Sequence, residues 1–178
     1  MTSVNAATAP KIGIMGAGAI GLYVGGMLTH GGAQVVFAAR GRTLASVRRG
    51  LSLSRHDGFN ATLKPERYEI GGVEGLSGCD VVLFCTKSGD TETAGTELGQ
   101  SLKPSATIIS LQNGVGNVEM LKRLLPNHEV VAGTVPFNVV RLSPNAVHCA
   151  MEGAVLIGPS RASASLAGLA TASGLKLE

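Results

Sequence analysis

Aromatic residues are scarce: the sequence of 178 residues has no tryptophan, two tyrosines and four phenylalanines, against 44% apolar residues overall. Its interior must therefore be aliphatic, and a stacking platform for single-stranded nucleic acid has nothing to be built from. Acidic residues are missing from the first third. No Asp or Glu precedes Asp57, whereas Lys11, Arg40, Arg42, Arg48, Arg49 and Arg55 place a formal +6 there, against +3 for the whole chain. That imbalance points to an anionic partner for the first part of the chain. No apolar run approaches the ~20 residues that span a bilayer. Residues 1–10 have neither the basic start nor the apolar centre of a secretory signal and read as a flexible tail. Cys79, Cys85 and Cys149 are odd in number and form no CxxC, which suits reduced, buried thiols in a cytoplasmic protein. A nucleophilic role would need an activating partner that the sequence does not place. No metal site is assigned.

Glycine, in contrast, is plentiful, with 25 in the chain. Its spacing matters in one stretch, Lys11-Ile-Gly-Ile-Met-Gly16-Ala17-Gly18-Ala19-Ile20-Gly21. An apolar run suited to a buried strand leads into Gly-x-Gly-x-x-Gly and then into a helical stretch from Leu22 to Leu28. GxGxxG alone is a weak signal in a glycine-rich chain; strand, turn and helix in this order strengthen it. In such a unit Gly16 permits the tight turn, Gly18 lets a pyrophosphate approach the backbone, and Gly21 lets the helix pack on the strand. The anion then rests on the free N–H groups of the helix N-terminus, where the macrodipole favours negative charge.

The second strand, Gln34 to Ala39, ends at Arg40-Gly41-Arg42. An NAD site wants a carboxylate about 20 residues past the glycines, to bind the ribose 2′-hydroxyl. Here arginine stands at the strand end, and its planar fork suits a phosphate. Arg40 and Arg42 therefore indicate NADP, against the plainer reading of two solvated surface charges. Arg48 and Arg49 read as ordinary surface residues of the following short helix. A nucleic-acid patch lacks both a recognition motif and interleaved aromatics.

Farther on, Leu51–Arg55 and Asn60–Lys64 alternate around His56-Asp57-Gly58, a hairpin signature. Residues 70–78 are loop-like. Strands are expected at Val81–Cys85, Thr107–Leu111, Val130–Val135 and Ala154–Ile157, with helices at Thr91–Leu102, Val118–Leu125 and Ala162–Ser173. Phe137–Leu142 and Ala146–Met151 form a second hairpin about Ser143-Pro144-Asn145. Strand–helix alternation implies an α/β fold, a Rossmann-like doubly wound parallel sheet with added β-hairpins, over residues 11–178. The carboxyl ends of its strands carry Gly16, Arg40, Lys87 and Asn113, which such a fold would bring onto one rim.

Three local patterns together resemble ketopantoate reductases: Gly16–Gly21 with Arg40, Phe84-Cys-Thr-Lys87 closing a strand, and Leu111-Gln-Asn113-Gly114-Val-Gly-Asn117-Val-Glu-Met-Leu121. The resemblance covers nearly the whole chain. It implies NADPH-dependent reduction of a 2-keto acid, 2-dehydropantoate to pantoate, on the route to pantothenate. It also implies cofactor contacts from Gly16, Ala17, Gly18, Ala19, Ile20, Gly21, Arg40, Arg42, Lys87 and Asn113, with Asn113 also reaching substrate. Members of that family continue into a helical C-terminal domain that supplies a proton-donating lysine and a substrate-holding glutamate. On this resemblance no catalytic residue falls within residues 1–178, and Lys176 is not given that role. The expected partner is a small 2-keto acid, with no nucleic acid and no membrane, and a homodimer is the assembly to test. The competing expectation is a non-catalytic NADP-binding sensor or interaction module.

Overall fold

The structure, a computed structural model, describes residues 9–151 and 153–178. Most of the expected tail, residues 1–8, lies outside the described residues, and Ala9 and Pro10 carry no regular structure. Strand β1 (Ile12–Met15) is buried along its whole length, as its unbroken apolar run requires. It runs into helix α1 (Ala19–His30), then β2 (Val35–Ala38) and the short α2 (Gly41–Val47). A hairpin of β3 (Leu51–Arg55) and β4 (Asn60–Leu63) follows, then β5 (Glu69–Gly71), β6 (Val81–Phe84), α3 (Thr91–Ser101), β7 (Thr107–Ser110) and α4 (Asn117–Leu124). The remaining elements are β8 (Glu129–Thr134), β9 (Val139–Ser143), β10 (Ala146–Cys149), β11 (Leu156–Ile157) and α5 (Ser163–Ser173).

Seven strands form one sheet in the order β11-β8-β7-β6-β1-β2-β5. All neighbours are parallel except β11, which runs antiparallel to β8. The sheet is doubly wound. One apolar cluster, with Leu22, Val24, Met27 and Leu166, covers one face; another, with Leu98, Leu102, Leu121 and Leu125 from the α3 and α4 region, covers the other. The architecture is Rossmann-like. Residues 70–78 depart from the loop expected for them. Glu69–Gly71 pairs in parallel with β2 as an edge strand, and Val73–Leu76 forms a single 3-10 turn. Three residues ending in glycine are too short to show a strand period.

Both hairpins form where the alternation places them, and they join. Strand β3 pairs in parallel with β10, so the two hairpins make a second sheet, β4-β3-β10-β9. Its inner face, with Leu51, Leu53, Val147 and Cys149, is buried, while Ser54 and His148 meet on the outer face at 2.9 Å. Helix α1 is thus enclosed between two sheets, which explains why Gly21 to Thr29 are all buried and no polar stripe exists. The fit at Gly26 is close: a Cβ there would come within 2.7 Å of Leu53 Cδ2, so the leucine would have to shift. Burying Leu51 and Leu53 against the helix stabilises the fold by roughly 1.5–3 kcal/mol each. At the tip of the first hairpin, Arg55 and the Phe59 amide both donate to Asp57 Oδ1, and together they hold that carboxyl down at about 2.

Candidate functional site

The turn after β1 is shaped by its three glycines. Gly16 has φ +101°, and a Cβ on it would sit 2.9 Å from the Thr86 backbone nitrogen, so only glycine fits between the ends of β1 and β6. Gly21 faces back into this turn, where an added Cβ would come within 2.2 Å of the Gly16 carbonyl oxygen. Gly18 differs from both. It is extended (φ −76°, ψ −171°), accepts the Leu22 N–H at 2.9 Å, and has nothing within 4 Å of where its Cβ would stand. No side chain caps the N-terminus of α1, and its first turn holds no acidic residue. The start of α1, with its positive end, is therefore left without a side-chain partner, the arrangement that binds an anion. Ala19 and Ile20, the first two helical residues, are half-buried and pack against the core with their side chains.

A prediction separates Gly21 from Gly18. Replacing a helical glycine by alanine ordinarily adds about 1 kcal/mol of helix propensity. At Gly21 the clash is with backbone, which no rotamer relieves, and overpacking costs ~1–3 kcal/mol or more. Gly21→Ala is expected to lower the melting temperature, by about 2–4 °C for each net kcal/mol lost in a chain of this length. A thermal unfolding curve equal to or above that of the parent would show the turn to be slack.

A cleft of ≈ 320 Å³ opens beside the turn, lined by Gly16, Ala17, Ala39, Arg40, Thr43 and Asp90 among others. It lies across the carboxyl ends of β1, β2 and β6, where open parallel sheets take ligands. Its size is at the lower end of small-molecule pockets. Arg42 does not reach it. That residue is exposed on the first turn of α2 and lines a separate shallow depression with Arg141 and Pro144; Thr43, its neighbour, lines the cleft instead.

Lys87 and Asn113 stand farther along the rim, exposed in the loops after β6 and β7. A polar network draws these loops together. The Asn113 carbonyl accepts from Ser88 Oγ at 2.7 Å and from Asn117 Nδ2 at 2.9 Å. The nearly buried amide of Gln112 donates to Thr91 Oγ1 at 2.7 Å and reaches the Thr86 carbonyl at 3.2 Å, and its oxygen accepts from Ser110 at 3.2 Å. Asn113 does not take the left-handed backbone that a turn asparagine tolerates. Among the described residues only glycines have positive φ, and here they are Gly114 and Gly116. Asn113 therefore keeps an ordinary backbone while Gly114 and Gly116 make the turn.

Sequence reasoning quoted Gln112 and Asn117 within a motif but gave them no role, and it passed over Thr91; their partners lie 21 to 29 positions away. It also missed Glu97 on α3, which accepts a hydrogen bond from Arg40 Nη2. Cys85 follows β6 beside Gly21, and Cys79 is buried; burial pushes both thiols up, Cys79 to about 11, so neither is a thiolate at neutral pH. Among the described residues no group of three or more His, Cys, Asp or Glu could hold a metal ion, and no helix is long and apolar enough to cross a membrane.

Comparison with known proteins agrees with this geometry. A crystal structure of a PanE/ApbA family ketopantoate reductase from Ralstonia eutropha superposes with a TM-score of 0.87 at 35% identity, over 94% of this chain and 55% of that one. The 2-dehydropantoate 2-reductases of Halobacterium salinarum and Pyrococcus horikoshii are 31% and 32% identical over 85% and 83% of this chain. The chain spans about half the length of these curated relatives, 50% and 47% respectively. The family model described as "Ketopantoate reductase PanE/ApbA" matches residues 12–162. With a family model over most of its length and relatives above 30% identity, the chain belongs to the PanE/ApbA ketopantoate reductase family.

Proposed function

We propose that this chain binds NADPH for the reduction of a 2-keto acid, 2-dehydropantoate being the substrate its relatives' names indicate. The observation that carries the reading is the uncapped start of α1, with open space over Gly18, in the same rim as Arg40. The fit is specific. A side chain at position 18 would fill open space beside the glycine turn, and the adjoining helix end supplies donors and positive potential. Bound there, NADPH would supply the hydride from its nicotinamide ring.

The chain's own residues would do the rest of the holding. Arg40 offers its guanidinium to the 2′-phosphate that distinguishes NADPH from NADH. Lys87 adds positive charge beside the phosphates or the keto-acid carboxylate. Asn113 carries an amide that both donates and accepts, which suits a neutral substrate hydroxyl or the nicotinamide carboxamide. The Gln112–Thr91 and Asn117–Ser88 bonds fix the spacing of the two loops that bear Lys87 and Asn113. The site residues proposed for the cofactor are thus Gly16 to Gly21, Arg40, Lys87 and Asn113, with Arg42 outside the cleft.

The test is calorimetric titration with NADPH and NADH. A charge-assisted hydrogen bond contributes about 1.5–3 kcal/mol, so NADPH is expected to bind on the order of 10- to 100-fold more tightly. Arg40→Ala should close most of that gap by weakening NADPH alone. Equal affinities in the parent chain would sink the NADP reading.

A further inference from the structure

A dinucleotide fold judges the ribose at the end of its second strand, and there this chain has Arg40 with no acid near it in sequence. In space an acid is present. Arg40 Nη2 donates to Glu97 Oε2, from the middle of α3 and 57 positions away. Both side chains remain accessible, at 69% for Arg40 and 36% for Glu97, so neither is locked by packing. Arg40 also stands between two spaces. On one side is the cleft running from the glycine turn; on the other is an outer recess of ≈ 360 Å³ walled by Glu74, Glu97 and Gln100. Glu74 turns back to accept the Gly72 N–H at 3.2 Å on that outer side. The guanidinium is therefore drawn toward a carboxylate wall when no phosphate competes for it.

We infer that Glu97 is a specificity-determining residue of this site: it competes with the 2′-phosphate of NADPH for Arg40 and so narrows the preference over NADH. The inference rests on the reading of the cleft as a dinucleotide site. Its physics has two parts. A guanidinium binds a phosphate best through two parallel N–H bonds, and Glu97 occupies one of the nitrogens that such a fork would use. A phosphate monoester also brings close to two negative charges, which must then lie within a few ångströms of the Glu97 carboxylate. NADH brings only a hydroxyl to that place. A hydroxyl can donate to a carboxylate, so α3 supplies through space the acid that the end of β2 lacks. Because the pair is exposed, the repulsion is screened and its effect is moderate, about 3- to 10-fold in affinity.

The experiment titrates the parent chain, Glu97→Gln, Glu97→Lys and Arg40→Ala with NADPH and NADH by calorimetry, and each variant is checked for an unchanged melting curve. Glu97→Gln is expected to tighten NADPH about 3- to 10-fold while NADH stays level or weakens, and Glu97→Lys should tighten NADPH further. Raised salt should shrink these differences, as it does for exposed charges. If Arg40→Ala weakens NADPH yet Glu97→Gln leaves it unchanged or weaker, this inference falls and the dinucleotide reading stands; Glu97 would then be a support that holds Arg40 in place. If the parent chain binds neither dinucleotide, both fall together.

Discussion

Gly18→Val is expected to abolish NADPH binding in calorimetry, a loss on the order of 100-fold or more, while the melting temperature stays within a few degrees of the parent. Both halves follow from the surroundings of one carbon. A Cβ at residue 18 meets nothing within 4 Å, and the backbone there is extended, a conformation that valine adopts readily. The fold therefore has no reason to object. A pyrophosphate resting on the first amides of α1 would meet the branched side chain directly and lose its charge-assisted bonds, each contributing about 1.5–3 kcal/mol. Two lost bonds correspond to roughly 10²–10⁴ in affinity. Unchanged affinity in a folded Gly18→Val variant would put the cofactor elsewhere and remove the basis of the functional proposal. Gly21, three residues on, should show the opposite signature, because its neighbour is the protein's own backbone.

The 178-residue chain, given NADPH and 2-dehydropantoate, is expected to bind the cofactor and show no steady turnover. The groups that the rim offers are suited to holding charge and orienting polar groups: Arg40, Lys87, Asn113 and the network behind it. The resemblance to ketopantoate reductases implies that the proton donor and the substrate-holding glutamate come from a helical domain, and this chain spans about half the length of its curated relatives. For residues 1–178 assayed alone, a general acid supplied from outside them would be wanting, which costs about 10²–10⁴-fold. Any positioning and exclusion of water supplied from outside them would be forfeited as well. The measurement is the fall in nicotinamide absorbance with purified chain, keto acid and NADPH, beside the Halobacterium salinarum reductase as positive control. Steady oxidation by this chain would overturn the expectation and direct attention to Lys87 as a proton donor within it.

What could be read from the sequence was local. The β1–α1–β2 unit was legible because glycine spacing, a buried apolar run and a helical run fall within thirty positions of one another. The two hairpins were legible from alternation and from turn residues such as Asp57-Gly58, where Gly58 takes φ +89°. Their union was not. Pairing of His148 with Ser54 leaves no mark in either segment, since each strand shows only its own period of two. The same limit governs the site. Gly16, Arg40, Lys87 and Asn113 could be named because each follows a strand that announces itself. Glu97 could not, since α3 has weak apolar periodicity and nothing near residue 97 refers to residue 40. Arg42 lines a different depression from Arg40 because a helix begins at Gly41, and one step along a helix turns a side chain by about 100°.

Enclosing α1 between two sheets sets the order in which the protein can be completed during synthesis. The far wall of the helix needs β10, whose His148 lies 94 positions after Ser54 on its partner strand. At roughly 5–20 residues per second a ribosome takes about 5–20 s to cover that distance. Through that interval β3 lacks its parallel neighbour, and the nascent chain carries an unpaired strand edge. Helix α1, made before either hairpin, is thus among the last elements to be enclosed on both sides. Its long-range closure also gives this fold the slow, aggregation-exposed assembly typical of non-local strand pairing.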